Sequence, residues 1–194
     1  MPENVKIISS EVLSENWGKL NKVTYQTQLK DGSWQQQERE VYNRGNGAVI
    51  LLYNKSRQTV ILTEQFRIPT WFNGNTDGLM IEAPAGLLDE NDPEECIRRE
   101  TEEETGYTVT DVEKIMEVYM SPGSVTEILY FFIAAYSDAM KTGNGGGLDN
   151  EQENIEVLEV SFDNALKMIY SGKIKDAKTI MLLQYAQIHS LLGN

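Results

Sequence analysis

Three features of the sequence predict an α/β protein, with strands and helices layered as an α/β/α sandwich behind a small N-terminal antiparallel β piece. The run Ile128–Ala135 is apolar throughout, as a buried central strand requires, and the runs Ala48–Tyr53 and Thr59–Thr63 supply neighbours for it. One sharply bounded helix lies between Asp92 and Gly106, and two more close the chain. Ahead of these, residues 1–43 carry partly alternating, strand-like segments interrupted by Asp31-Gly32, a hairpin signal.

Taken in order, residues 1–43 read as short strands, including Lys19–Leu29 and Trp34–Val41. This piece is too small for a strong core of its own. It is expected to pack on the main body or on a second subunit, so the chain divides into a β subdomain at 1–43 and a larger domain at 44–194. Arg44-Gly-Asn-Gly47 marks the boundary, and Asn54-Lys-Ser56 turns between the next two strands. Met116–Met120 and Ile155–Phe162 are further strands. Between Ala139 and Glu153 runs a polar loop with glycines at 143, 145, 146 and 147, long enough to suggest function. Helices are expected over about Phe162–Tyr170 and Asp176–Leu192. In the last, Ile180, Leu183, Tyr185, Ile188, Leu191 and Leu192 form the face expected to pack on the core.

Composition narrows the partners. At 194 residues with 40% hydrophobic and 24% charged content, the chain suits a soluble globular protein with one substantial core. A net charge of −13 argues against nucleic acid or an anionic membrane surface as partner. The single cysteine, Cys96, excludes an intramolecular disulfide and suits a reducing cytoplasm, and no stretch has membrane-spanning length. With one cysteine and one histidine, His189, a zinc site is not expected.

The densest chemistry lies in the segment from Gly86 to Tyr107. Asp92 is an N-cap, Pro93 fits the first helical position, Glu95 completes a capping box, and Gly106 supplies the left-handed stop. Between them Glu100, Glu103 and Glu104 stand at i, i+3 and i+4, so three carboxylates project from one face. Glu94 and Glu95 can pair with Arg98 and Arg99 at i+4, whereas Glu100, Glu103 and Glu104 have no basic residue at i+3 or i+4. Like charges so spaced cost roughly 0.2–0.5 kcal/mol per pair on an isolated helix. A bound cation reverses that cost, and oxygen-only ligands suit Mg²⁺, with Mn²⁺ as an alternative.

Arg99-Glu100-Thr-Glu-Glu103-Glu104-Thr-Gly106-Tyr107 resembles the second half of the Nudix box, Arg-Glu-U-x-Glu-Glu-x-Gly-U with U apolar. The first half departs from the pattern. Its loop is one residue shorter than the consensus, with Asp92 in place of the first Glu, and Thr101 is less apolar than usual. Glu82-Ala-Pro-Ala-Gly86 resembles the strand-to-loop junction of the ADP-sugar and GDP-sugar Nudix hydrolases. Arg44–Asn54, Trp71–Asn75, Tyr119–Glu127 and Gly145–Gly147 look more narrowly like the bacterial GDP-mannose pyrophosphatases.

This resemblance implies a Nudix fold and hydrolysis of a nucleotide sugar, with GDP-mannose split into GMP and mannose 1-phosphate. An ADP-ribose or other ADP-sugar pyrophosphatase is the alternative within the class. A non-catalytic nucleotide-sugar sensor on the same scaffold is the alternative outside it. The implied metal ligands are Glu100, Glu104 and the backbone carbonyl of Ala85, with Glu153, or its rival Glu151, from the glycine-rich loop. Glu127 is the favoured general base and Glu103 the other candidate. Arg67 and Lys178 look like phosphate-side contacts, beside the backbone of Ala85, Gly86 and Leu87. Trp17, Glu38, Arg39 and Glu40 look like base- and sugar-side contacts, which in this family cross to the partner subunit of a homodimer.

Overall fold

The computed structural model describes residues 4–88, 92–148 and 153–193, which form two compact units. The first comprises the chain up to Asn46 together with Tyr119–Ile128. Its strands β1 (Val5–Glu15), β2 (Lys19–Gln28) and β3 (Trp34–Asn43) form one antiparallel sheet in the order β1-β2-β3. The β2–β3 hairpin runs in unbroken register from Lys19↔Asn43 to Gln28↔Trp34. At its turn, Asp31 Oδ1 accepts from both the N–H and the hydroxyl of Ser33. Segment Tyr119–Ile128 joins through Tyr42, which donates its N–H to Ser124 O and accepts from Thr126 N–H. No described residue of this unit is fully buried. A three-stranded sheet of this size covers too little apolar surface to close a core.

The second unit takes Gly47–Val118 and Leu129 onward. Its sheet has the path β10-β5-β4-β9-β8, where β4 is Gly47–Asn54, β5 Thr59–Phe66, β8 Glu113–Tyr119, β9 Ile128–Ala135 and β10 Glu156–Ser161. As expected from its apolar run, β9 is internal, lying parallel to β4 from Gly47↔Leu129 to Tyr53↔Ala135. Two short strands unmarked by any periodicity complete the sheet. β6 (Leu79–Glu82) pairs with β5, and β7 (Ala85–Leu87) pairs with the start of β4. A five-residue helix, α1 (Ile68–Phe72), connects β5 to β6.

Helices cover both faces. Ala48, Ile50 and Leu52 of β4 share one buried cluster with Phe132, Cys96 and Ile97, the last two from helix α2 (Pro93–Thr105). Val49 and Leu51, equally buried, point to the opposite face, and helix α4 (Ala177–Ile188) also packs against β4. Helix α3 (Phe162–Tyr170) packs on β10 and α4. The α/β/α layering predicted from the sequence is therefore observed. The last helix is shorter than its apolar pattern suggested. Its buried face is Thr179, Leu182, Leu183 and Ala186, at i, i+3, i+4 and i+7, while Ile188 is 77% exposed.

Phe132 joins β9 to the α2 layer. Phe132→Ala is expected to cost about 3–5 kcal/mol, read as a lower urea midpoint with unchanged slope. A loss below 1 kcal/mol would contradict this core assignment.

Candidate active site

Helix α2 is set by its own ends. Asp92 Oδ1 accepts the Glu94 N–H, Pro93 opens the first turn, and Gly106 adopts φ 75° at the C-terminus. Glu100, Glu103 and Glu104 lie in the last two turns, toward the negative end of the helix dipole. The glycine-rich loop covers that end. Gly146 N–H donates to Glu104 O, Gly147 N–H to Glu103 O, and Thr142 and Gly143 both donate to Gly106 O. These bonds satisfy carbonyls that a helix terminus otherwise leaves without partners. They also carry the chain back toward α2, where Glu153 stays within electrostatic reach of Glu104. Leu148 N–H donates to Glu153 Oε2, and a side chain at Gly147 would stand 2.5 Å from the Glu153 Cβ. Glu151, the rival loop carboxylate, lies outside the described residues.

The opposite wall is the β6–β7 junction. Ala85 N–H donates to Glu104 Oε2 at 3.2 Å. Gly86 lies so close beneath Glu100 that any Cβ would overlap its carboxyl group, which is a spatial reason for glycine there. Leu87 accepts from the Cys96 thiol through its carbonyl and pairs with Gly47 across to β4.

The charges on α2 are not distributed as the sequence suggested. Arg98 pairs back to Glu94, but Arg99 turns forward, 2.8 Å from Glu100 and 3.0 Å from Glu103. Two of the three carboxylates therefore do have a cation, because Arg99 stands one turn before Glu103. Glu104 is different. It is 2% exposed, and burial, then Glu100, then Glu153 push its carboxyl well above the ordinary range, only partly offset by the Ala85 N–H and Arg67. Among the described residues no three carboxylates form a ready metal cage, and Arg99 is paired with Glu100 and Glu103. The donors that face one another are all oxygen, and the buried Glu104 has negative neighbours that only added positive charge can relieve. That combination fits a hard divalent cation. Thr101, polar where an apolar residue is usual, is fully buried with its hydroxyl donating to Ile97 O.

A second charged cluster adjoins the same junction. Glu82, at the end of β6, is 4% exposed and accepts from Arg67 Nε at 3.2 Å and Nη2 at 2.7 Å. Lys178 Nζ lies 3.4 Å from Glu82 and 2.9 Å from Asp176. Burial alone would raise the Glu82 carboxyl, but Lys178 and Arg67 outweigh it and hold it below its ordinary value. Asp176 caps α4 by accepting the N–H and hydroxyl of Thr179, whose Oγ1 accepts the Ala83 N–H. Glu82 and Asp176 were not singled out as site residues from the sequence. Burial of a charged residue is set by strand pairing, here Thr63↔Glu82, and leaves no local pattern.

The remaining candidates belong to the first unit. Glu127 is held by Arg44, with Nε at 3.0 Å and Nη2 at 2.8 Å, and its side chain is only 11% exposed. Arg44 also lies 5.6 Å from the ring centroid of Trp17, which is largely exposed. Glu38 pairs with Lys22, and Glu40 stands opposite Lys22 in the sheet. Arg39 points to the other face and lines a cavity of about 780 Å³ with Val23, Tyr25, Val41 and the Tyr119–Thr126 segment.

Residues 43–183 match the family model of the NUDIX domain. The chain belongs to the Nudix hydrolase family. Residues 4–42 match a second model, described as the GDP-mannose pyrophosphatase NudK N-terminal domain. Among curated relatives, the GDP-mannose pyrophosphatase of Klebsiella pneumoniae subsp. pneumoniae is 54% identical over 193 residues, covering 100% of this chain and 96% of that protein. The proteins of the same name from Yersinia enterocolitica and Salmonella arizonae are 56% and 51% identical. They cover 99% and 100% of this chain and the full length of each relative. Nudix hydrolases generally use divalent metal ions. Among the described residues no helix is long and apolar enough to cross a membrane.

Below the ordinary carboxylate range Glu104 is protonated in folded and unfolded chains alike and does not affect stability. As pH rises, the unfolded chain ionises first, so the folded state loses stability until the raised native value is passed, above which the whole loss is present. Metal-free Glu104→Gln should therefore gain on the wild type as pH rises from about 4 toward neutrality, measured as Tm in chelator across that range. A variant less stable than wild type at neutral pH would contradict the assignment. Gly86→Ala should displace the Glu100 carboxylate and, if that carboxylate holds a divalent cation, weaken its binding by on the order of tenfold or more. Titration calorimetry on the folded variant reads this directly, and unchanged affinity would refute it.

Proposed function

We propose that this protein is a Mg²⁺-dependent pyrophosphohydrolase that converts GDP-mannose and water into GMP and mannose 1-phosphate. The observation that carries the reading is the buried Glu104 carboxylate, which accepts the Ala85 N–H and lies within electrostatic reach of Glu100 and Glu153, with Arg67 and Lys178 at the adjoining junction. Whole-length identity of 51–56% to three proteins named GDP-mannose pyrophosphatase, together with the N-terminal match, supports the substrate.

In this reading Glu100, Glu104, the Ala85 carbonyl and Glu153 or Glu151 hold Mg²⁺, with Mn²⁺ an acceptable substitute. Bound there, the ion neutralises phosphate oxygens and acidifies water. The protein's own groups do the rest by position and charge. Arg67 and Lys178 take oxygens of the pyrophosphate, Arg67 through its planar fork. Glu127 accepts a proton from the attacking water as one P–O bond forms and the bridging P–O bond breaks. Glu103 is the other candidate for that role. Glu38 and Glu40 accept from the N1–H and exocyclic amine of guanine, donors that adenine does not present together, while Trp17 and Arg39 complete the base and sugar contacts. These N-terminal residues serve the pocket of a partner subunit, so the working form is a homodimer, and its compartment is the cytoplasm.

Steady-state kinetics on GDP-mannose, GDP-glucose and ADP-ribose with Mg²⁺ test the substrate. GDP-mannose should give the highest kcat/KM and chelator should abolish turnover; a clear preference for ADP-ribose would move the assignment to the ADP-sugar pyrophosphatases. Deleting residues 1–43 should yield a monomer with weakened substrate binding, seen by light scattering and KM. A fully active monomeric truncation would refute the shared pocket.

A further inference from the structure

Arg67 and Lys178 are both held by Glu82, a residue that no step above uses. Its carboxylate, 6% exposed at the side chain, takes the Nε and Nη2 edge of the Arg67 guanidinium. Among the described residues the Nη1 group makes no such bond, and the Arg67 side chain is 40% exposed. One edge of the fork is thus anchored on a buried carboxylate, while the side chain as a whole stays partly exposed. Lys178 approaches the same carboxylate oxygen that binds Arg67 Nη2, Glu82 Oε2, and its second partner, Asp176, is itself fixed as the cap of α4. The Thr179 hydroxyl ties that cap to Ala83, the residue after Glu82.

We propose that Glu82 is a positioning residue that fixes Arg67 and Lys178 as a pre-aimed pair for the two phosphates of a nucleoside diphosphate. This rests on the reading of the site as a sugar-nucleotide pyrophosphohydrolase. The need for such an anchor comes from the acidic surroundings. Glu104 and Asp176 both exert a pull on Arg67, and the whole chain carries −13. An arginine without its own buried carboxylate would be drawn to whichever of these carboxylates lay nearest, and the guanidinium would lose the orientation that bidentate contact with a phosphate requires. Glu82 gives Arg67 a partner that leaves its outer edge available. A simple increase in positive charge on removing Glu82 would favour anion binding. Loss of orientation opposes it, and the two give opposite signs in one measurement.

The test is the affinity for GDP, with Mg²⁺ present, by titration calorimetry on wild type, Glu82→Gln, Arg67→Ala and the double variant, with Tm recorded for each. Loss of an oriented charge-assisted contact should weaken GDP binding about tenfold in Glu82→Gln. In the Arg67→Ala background the same change should cost less than about threefold, because its main route is already gone. Should Glu82→Gln fail to fold, Glu82→Asp, which keeps the charge but shortens the reach, replaces it in the same cycle. Unchanged or tighter GDP binding in the Glu82 variant, or an equal loss in both backgrounds, would overturn the proposal and leave Glu82 a structural ion pair. Wild-type turnover of GDP-mannose, assayed on the same preparation, reports separately on the proposed function.

Discussion

The buried carboxylate of Glu104 is the constraint around which the second unit is arranged. A glutamate with 2% exposure, at the negative end of a helix and within reach of two other carboxylates, is expensive to ionise. Each surrounding element answers part of that cost. The β6–β7 junction supplies the Ala85 N–H, and the glycine-rich loop neutralises the helix carbonyls with its own N–H groups. Arg67 adds a weaker favourable field from the adjoining cluster. What these leave over is the cost that, in the proposed function, a bound divalent cation would relieve.

The same pattern holds for the cations near this junction. Arg67, Lys178 and Arg99 are each paired with carboxylates. Fixed cations keep their position when an anion approaches, whereas mobile ones lose side-chain entropy in reaching it. The fold makes this possible through β4, whose one edge pairs with β5 and then with β7. That switch brings the end of β6, the loop over α2 and the start of α4 to one place, joined by the Thr179–Ala83 contact.

Features encoded locally were legible in the sequence. The α2 helix was, because Asp92, Pro93 and Gly106 act within a turn of themselves. The internal strand β9 was, because its apolar run is uninterrupted. Features that depend on pairing at a distance were not. α1, β6 and β7 are too short to show a period, and the burial of Glu82 arises only when β6 lies beside β5. Arg99 was expected to reach back to Glu95, yet it serves Glu100 and Glu103, since a side chain on a helix meets neighbours in both directions. The apolar pattern of the last helix placed Leu183, Ile188 and Leu192 on the core face; Leu183 and Leu192 are buried there, Leu192 from beyond the end of α4, but Ile188 is exposed. Trp17, Glu38, Arg39, Glu40 and Glu127 were read from resemblance alone, and all fall in the first unit, where Lys22 and Arg44 already engage the acids Glu38 and Glu127.

Proton release on metal binding tests the central claim most directly. If burial and acidic neighbours raise the Glu104 carboxyl and Glu104 is a metal ligand as proposed, a divalent cation such as Mg²⁺ must displace its proton on binding. Calorimetric titrations at one slightly acidic pH, in buffers of different ionisation enthalpy, count the protons released. The account predicts release in the wild type and its disappearance in Glu104→Gln. Binding without proton release in the wild type, or equal release in the variant, would contradict it.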